Sequence, residues 1–205
     1  GTFPWIAKYD LNGTVQWQST SNSGNVRYLG VASDSSGTYY ACGRTNLGNG
    51  IDTRSFIESF DSSGQPTWGK SAYMIGRDVI LSAIDNNERN QVVAVGSLND
   101  DSGIKGYIIK MDTLTGEVLW DRTIETPGLD VECSDVFIDG NDQIYITANV
   151  TKFQIPPERK GCLLKYTAEG NLLWQTESAN GGLDLVEFNR VTADTETGSI
   201  AVFGF

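Results

Sequence analysis

The sequence predicts an all-β fold assembled from four copies of one unit, and three observations carry the prediction. Tryptophans recur at Trp17, Trp68, Trp120 and Trp174, which are 51, 52 and 54 residues apart, and glycine stands four places before each, at Gly13, Gly64, Gly116 and Gly170. Between these segments lies a second shared pattern, an apolar run closing on aspartate followed by another apolar run: VASDSSGTYYACG, SAIDNNERNQVVAVG, VFIDGNDQIYITA and VTADTETGSIAVFG. Helical periodicity is nowhere evident. A pitch of about fifty residues built from short strands suits a four-stranded blade better than helical hairpins or leucine-rich coils. The predicted architecture is therefore a β-propeller of four repeats, each a blade of four antiparallel strands, in a single domain spanning residues 1–205.

Each repeat resolves into two hairpins. The segments WIAKYDLNGTVQW, FIESFDSSGQPTW, YIIKMDTLTGEVLW and CLLKYTAEGNLLW form an outer pair, whose glycine supplies the positive φ of a tight turn. The inner pairs turn near Asp34, Asp85, Asp139 and Asp194 and return through Tyr39 to Cys42, Val92 to Val95, Ile144 to Thr147 and Ile200 to Phe203. Those runs are rich in β-branched or aromatic residues and bounded by turn formers. The chain starts inside an outer pair and stops just after an inner pair, so its ends are expected either to join as one split blade, removing the free edges, or to belong to a four-blade piece of a larger ring.

Composition narrows the chemistry. With 26 acidic against 15 basic residues and a formal charge of -11, the chain is not expected to bind nucleic acid or an anionic lipid surface. It contains no histidine, which removes Ser-His-Asp and Cys-His nucleophiles and every imidazole metal site. Cys42, Cys133 and Cys162 allow at most one bridge. No apolar run reaches the roughly 18 residues of a membrane span. There is no signal peptide or initiator methionine, so Gly1 is expected to open a processed chain or a piece of a longer one. Asn12 and Asn149 match the glycosylation acceptor pattern, which matters only in a secreted eukaryotic protein.

The repeated residues carry paired readings. A tryptophan once per repeat offers a row of sugar-stacking platforms, but at the end of an outer strand it is expected to fill the wedge between blades, and Trp5 falls in the same packing class. The aspartates are expected to accept backbone hydrogen bonds across their turns. The oxygen-dense run at Asp139, Asn141 and Asp142 alternatively suits calcium. Seven residues before the aspartates stand Arg27, Asp78, Glu132 and Glu187, expected near the mouth of the central channel, where converging carboxylates bind a cation or perturb one another's ionisation. The connections Thr45 to Arg54, Ser97 to Lys105 and Asn149 to Lys160 vary most, and variable loops on a rigid scaffold carry recognition. In the longest, Phe153 and Ile155 beside a stiff Pro-Pro and the basic Arg159 and Lys160 make the expected contact surface; the alternative is a loop folded onto its own blade.

Ile6 to Trp17 with Val31 to Thr45, and the copies of the first segment at Phe56 to Trp68, Tyr107 to Trp120 and Cys162 to Trp174, resemble the bacterial β-propeller repeat family of secreted and surface proteins. That resemblance implies adhesion, surface display or scaffolding and supplies no catalytic residues. The run Met111 to Trp120 also looks like the tryptophan docking motif of quinoprotein dehydrogenases and of outer-membrane assembly lipoproteins; in the first two copies the turn is one residue shorter. The expected function is a non-catalytic extracellular or cell-surface module presenting loops to a protein or glycan, alone or as part of a larger assembly, with no cofactor unless calcium. The alternatives are a subunit of a quinoprotein-like assembly, or a propeller enzyme cleaving glycosides with two of Asp78, Glu132 and Glu187, a chemistry that needs no histidine.

Overall fold

A computed structural model describes residues 4–20, 26–46, 53–70, 78–154, 158–178 and 185–205. Sixteen strands and no helix occur among them. The first hairpin is β1 (Trp5–Tyr9) and β2 (Val15–Thr20). Three complete antiparallel blades follow: β3 (Val26–Ser33) to β6 (Pro66–Lys70) through β4 (Tyr39–Asn46) and β5 (Thr53–Phe60); β7 (Asp78–Asn87), β8 (Gln91–Asp100), β9 (Gly103–Asp112) and β10 (Val118–Ile124); and β11 (Asp130–Ile138), β12 (Ile144–Lys152), β13 (Glu158–Tyr166) and β14 (Leu172–Glu177). The last hairpin is β15 (Phe188–Asp194) with β16 (Ser199–Gly204). The fold is an all-β propeller. Among the described residues β1–β2 and β15–β16 are separate two-stranded sheets with no strand pairing between them.

The blades hold together through apolar layers between successive sheets. Cys42, Ile57, Leu81, Val92 and Ile109 pack between the first and second blades, and Val93, Ile108, Val131, Ile144 and Ile146 between the second and third. These side chains alternate along strands buried on both faces, so successive residues serve opposite neighbours. Each innermost strand carries one bulge at the same place, at Leu29, Ser82, Ser134 and Asn189, where the register skips a residue. That shared irregularity fixes the alignment of the repeats independently of the turns.

The alignment corrects one equivalence. Asn87, rather than Asp85, occupies the turn position of Asp34, Asp139 and Asp194: its Oδ1 accepts the N–H groups of Arg89 and Gln91 at 3.2 and 3.1 Å, as Asp139 Oδ1 accepts those of Asn141 and Gln143. Asp85 faces the next blade and accepts the Ile138 N–H at 2.7 Å. The variable connections are also shorter than expected, because Ser97–Asp100, Gly103–Lys105, Asn149–Lys152 and Glu158–Lys160 are strand. Cys42, Cys133 and Cys162 are all free and buried, so the single possible bridge is not formed.

Candidate functional site

Strand direction divides the molecule into two ends. One carries the tight turns near Asp34 and Gly64 and their copies; the other carries the β4–β5, β8–β9 and β12–β13 connections together with the starts of the innermost strands. At the turn end, side chains are spent on the fold. The Nε1–H of Trp17, Trp68 and Trp120 donates to the carbonyls of Ser62, Thr113 and Ala168 in the following blade at 3.0, 2.7 and 3.0 Å. Each indole thereby docks on its neighbour's outer turn, as the packing reading expected. Trp5 and Trp174 differ, being 51% and 38% exposed.

Sequence reasoning missed a second set of turn-holding groups, three residues before the glycine. Asp10 and Asp61 accept the N–H groups of Asn12 and Thr14 and of Ser63 and Gln65, while Asp112 does the same in the longer third turn. The signal was the Asp-x-x-Gly spacing itself, a side chain that mimics a backbone turn.

The oxygen cluster proposed for calcium is occupied by protein donors. Asp139 Oδ2 takes the Tyr145 hydroxyl at 3.0 Å in addition to its two backbone N–H groups. Asp142 takes Asn87 Nδ2 at 2.8 Å and the Arg89 guanidinium, which ties the second blade to the third. Asn141 lines an open groove of about 570 Å³ beside Trp174.

At the loop end, Glu132 and Glu187 do come together, but around a cation supplied by the chain. Arg159 Nη2 lies 3.0 Å from Glu132 and Nη1 2.9 Å from Glu187, joining the third blade to the last hairpin. The backbone strengthens this link, since Val186 N–H donates to the Arg159 carbonyl at 3.0 Å. Asp78 is not part of it: the longer β7–β8 hairpin places Asp78 two residues further out, at the position equivalent to Asp130. Arg27 lies in β3 opposite Arg44. Among the described residues no group of three or more Cys, Asp or Glu side chains is placed to share a metal ion.

Arg159 and Lys160 belong to β13, opposite Thr151 and Val150. Lys160 Nζ pairs with Glu158 at 3.4 Å and Glu177 at 3.3 Å. Phe153, 78% exposed, is the projecting apolar group of this connection among its described residues. Ile155 lies outside the described residues. Beside the tip an open groove of about 380 Å³ runs between Pro127, Leu129 and Val150 on one side and the charged Lys152, Glu158, Lys160 and Glu177. Asn149, at a glycosylation match, is only 3% exposed and clamps Phe188, its Oδ1 accepting the Phe188 N–H and its Nδ2 donating to the Phe188 carbonyl. No helix long and apolar enough to cross a membrane occurs among the described residues.

No family model and no curated protein matches the sequence. Solved structures do. A Bacteroides caccae protein of unknown function is 13% identical with a TM-score of 0.56, over 97% of this chain and 60% of that one. A polysaccharide lyase of family PL25, an ulvan lyase, is 8% identical with a TM-score of 0.53, over 93% of this chain and 55% of that one. The quinohemoprotein alcohol dehydrogenase of Comamonas testosteroni is 15% identical with a TM-score of 0.46, over 97% of this chain and 35% of that one. The chain thus spans little more than half the length of the first two, and these likenesses are likenesses of fold, shared by proteins of different activities.

Proposed function

We propose that the chain is a non-catalytic binding or scaffold module of the extracellular or cell-surface kind, presenting its loop end to a protein or glycan. The observation that carries this reading is the exposed Phe153, one residue beyond the last paired position of β12, beside a groove lined by Pro127, Leu129 and Val150 together with Lys152 and the Glu158–Lys160–Glu177 ion pairs. Exposed aromatic anchors beside grooves of mixed apolar and charged lining are what protein and glycan contacts draw on. The carboxylates considered for glycoside cleavage support the same reading, because Glu132 and Glu187 are committed to Arg159. The resemblance to bacterial surface repeats points the same way.

The test is a glycan array and a partner screen with the chain and its Phe153→Ala and Lys160→Glu variants. Binding that both changes reduce at least about tenfold supports the assignment of the tip. Turnover on mixed polysaccharides that Glu132→Gln abolishes overturns the non-catalytic reading.

A further inference from the structure

We infer a binding site for a sugar acid at the turn end, in the groove between the second and third blades. The groove is open, about 570 Å³ in volume, and brings Arg89, Lys110, Trp120 and Arg122 of the second blade against the inner and outer turns of the third. Both blades are complete, so the site depends on neither terminal hairpin. Lys110 is an exception at an end where side chains otherwise serve the fold. It is 4% exposed, and its Nζ donates to the Ala168 carbonyl at 2.9 Å, an oxygen that the Trp120 Nε1–H already reaches at 3.0 Å. Among the described residues no carboxylate forms an ion pair with it. An ammonium carries three donors, so one shared carbonyl leaves it capacity for a ligand.

The other repeats show that the position itself does not require this. Strand pairing makes Lys110 the equivalent of Ser59 and Lys165, and its partner Val93 the equivalent of Tyr40 and Tyr145. In the first blade the Ser59 hydroxyl bonds Thr67 within its own sheet, and the Tyr40 hydroxyl donates to the turn at Asp34 at 2.8 Å. In the third, the Lys165 ammonium lies over the Tyr145 ring at 4.8 Å, and the Tyr145 hydroxyl donates to Asp139 at 3.0 Å. The second blade has valine in place of the ring, so Lys110 has no cross-strand aromatic to lie on and reaches across to the next blade.

Charge and lining select the ligand. Arg89 is paired with Asp142. Arg122 is held by carbonyls, its Nη1 donating to Asp121 at 2.6 Å and its Nη2 to Glu169 at 3.5 Å, with the guanidinium over the Trp120 ring. Three cations thus face two carboxylates, Asp142 and Glu169. That balance attracts a single negative group, whereas a phosphate dianion meets two carboxylates and a polyanion meets the charge of -11 on the whole chain. Gly170 and Arg122 lie against the Trp120 ring, so the apolar wall left to a ligand is Leu119, 46% exposed. The Gln91 amide and the two carboxylates are acceptors for hydroxyl groups. One carboxylate on Lys110 and Arg122, hydroxyls toward Gln91, Asp142 and Glu169, and a C–H face on Leu119 together describe a uronic acid, in a groove of ordinary ligand-site size.

The Trp120 indole N–H shares its acceptor with Lys110, so its NMR resonance reports on the site. Titration with methyl glucuronide, up to about 20 mM, should shift that resonance saturably, and methyl glucoside, which differs only in lacking the carboxylate, should not. Lys110→Met and Arg122→Gln should each weaken the glucuronide by about tenfold or more with the remaining indole resonances in place, and Arg122, being exposed, provides the variant least able to disturb folding. Phe153→Ala, at the opposite end, should leave this binding unchanged, which separates the site from the contact proposed there. No saturable shift, or one that neither Lys110→Met nor Arg122→Gln weakens, overturns the site. Equal binding of cyclohexanecarboxylate, a ring acid without hydroxyls, overturns the sugar assignment.

Discussion

Replacing Gly64 with alanine separates the cost of a turn's backbone from the cost of losing an indole seat. Gly64 and Gly198 both adopt left-handed geometry, at φ +81° and +69°. A non-glycine residue pays about 1–2 kcal/mol for that conformation wherever it occurs. At Gly198 nothing lies within 4 Å of the new methyl, so Gly198→Ala should cost that much and no more. At Gly64 the methyl would stand 2.5 Å from Trp17 Cδ2, and the obstruction is a ring fixed by its own hydrogen bond to Ser62 and by stacking on Phe60. Overpacking adds about 1–3 kcal/mol, bringing Gly64→Ala to about 2–5 kcal/mol. Urea denaturation followed by tryptophan fluorescence measures both, and asparagine controls sharpen the comparison because asparagine tolerates the left-handed region. Asparagine should be nearly neutral at 198 and still costly at 64. If the two alanine variants lose stability equally, within about 0.5 kcal/mol, the indole does not bear on the turn and the account of blade-to-blade docking fails.

Burial pushes the thiols of Cys42 and Cys133 up to about 12 and that of Cys162 up to about 11, so the native chain should not react with a thiol reagent at pH 8, whereas the denatured chain should titrate three groups. One fast-reacting thiol in the folded protein refutes this. Lys110, buried and lowered in pKa chiefly by its desolvation, donates to the Ala168 carbonyl at 2.9 Å, which Trp120 already satisfies. Lys110→Met should therefore stay within about 1 kcal/mol of the parent in denaturation, and a loss above about 3 kcal/mol would show the ammonium to be structurally required. Desolvation raises Asp85 above the usual carboxylate range against the N–H groups of Ile138 and Asn86. Its contribution to stability is present below the unfolded value and lost as pH rises through the raised one, so Asp85→Asn should gain stability relative to the parent as pH rises from the usual carboxylate range, and a flat or falling difference would refute the assignment.

The architecture was legible because spacing survives what composition blurs: tryptophan and glycine four apart recur whatever fills the strands between them. Register within a blade was less legible. Counting from Asp85 shifts the second repeat by two residues, since β7–β8 is a longer hairpin and Asn87 performs the turn chemistry that aspartate performs elsewhere. The bulges that settle the alignment leave no mark in the residue types, which are Leu29, Ser82, Ser134 and Asn189. The same slip placed Asp78 at the position that Arg27, Glu132 and Glu187 hold in the other repeats, which Ile80 occupies in the second. The convergence of Glu132 and Glu187 on Arg159 was hidden because it crosses strands: the guanidinium reaches from β13 past β12 to β11, and onward to the residue before β15.

The two ends of the blades answer to different physics. At the turn end the carboxylates serve the backbone: Ser63 hydroxyl and the Gln65 N–H hold Asp61 below the usual carboxylate range, and the Thr197 hydroxyl and N–H do so for Asp194. A turn so satisfied has little hydrogen-bonding capacity left for a ligand. At the loop end the charges form bridges between hairpins, as Lys105 does between Asp100 and Glu125 at 3.0 and 2.9 Å and Arg159 does between Glu132 and Glu187. Bridges of partly exposed groups contribute little to stability, so they can be exchanged for contacts with another molecule at small cost. That asymmetry separates an end whose side chains are spent on its own turns from an end whose charges bridge neighbouring hairpins.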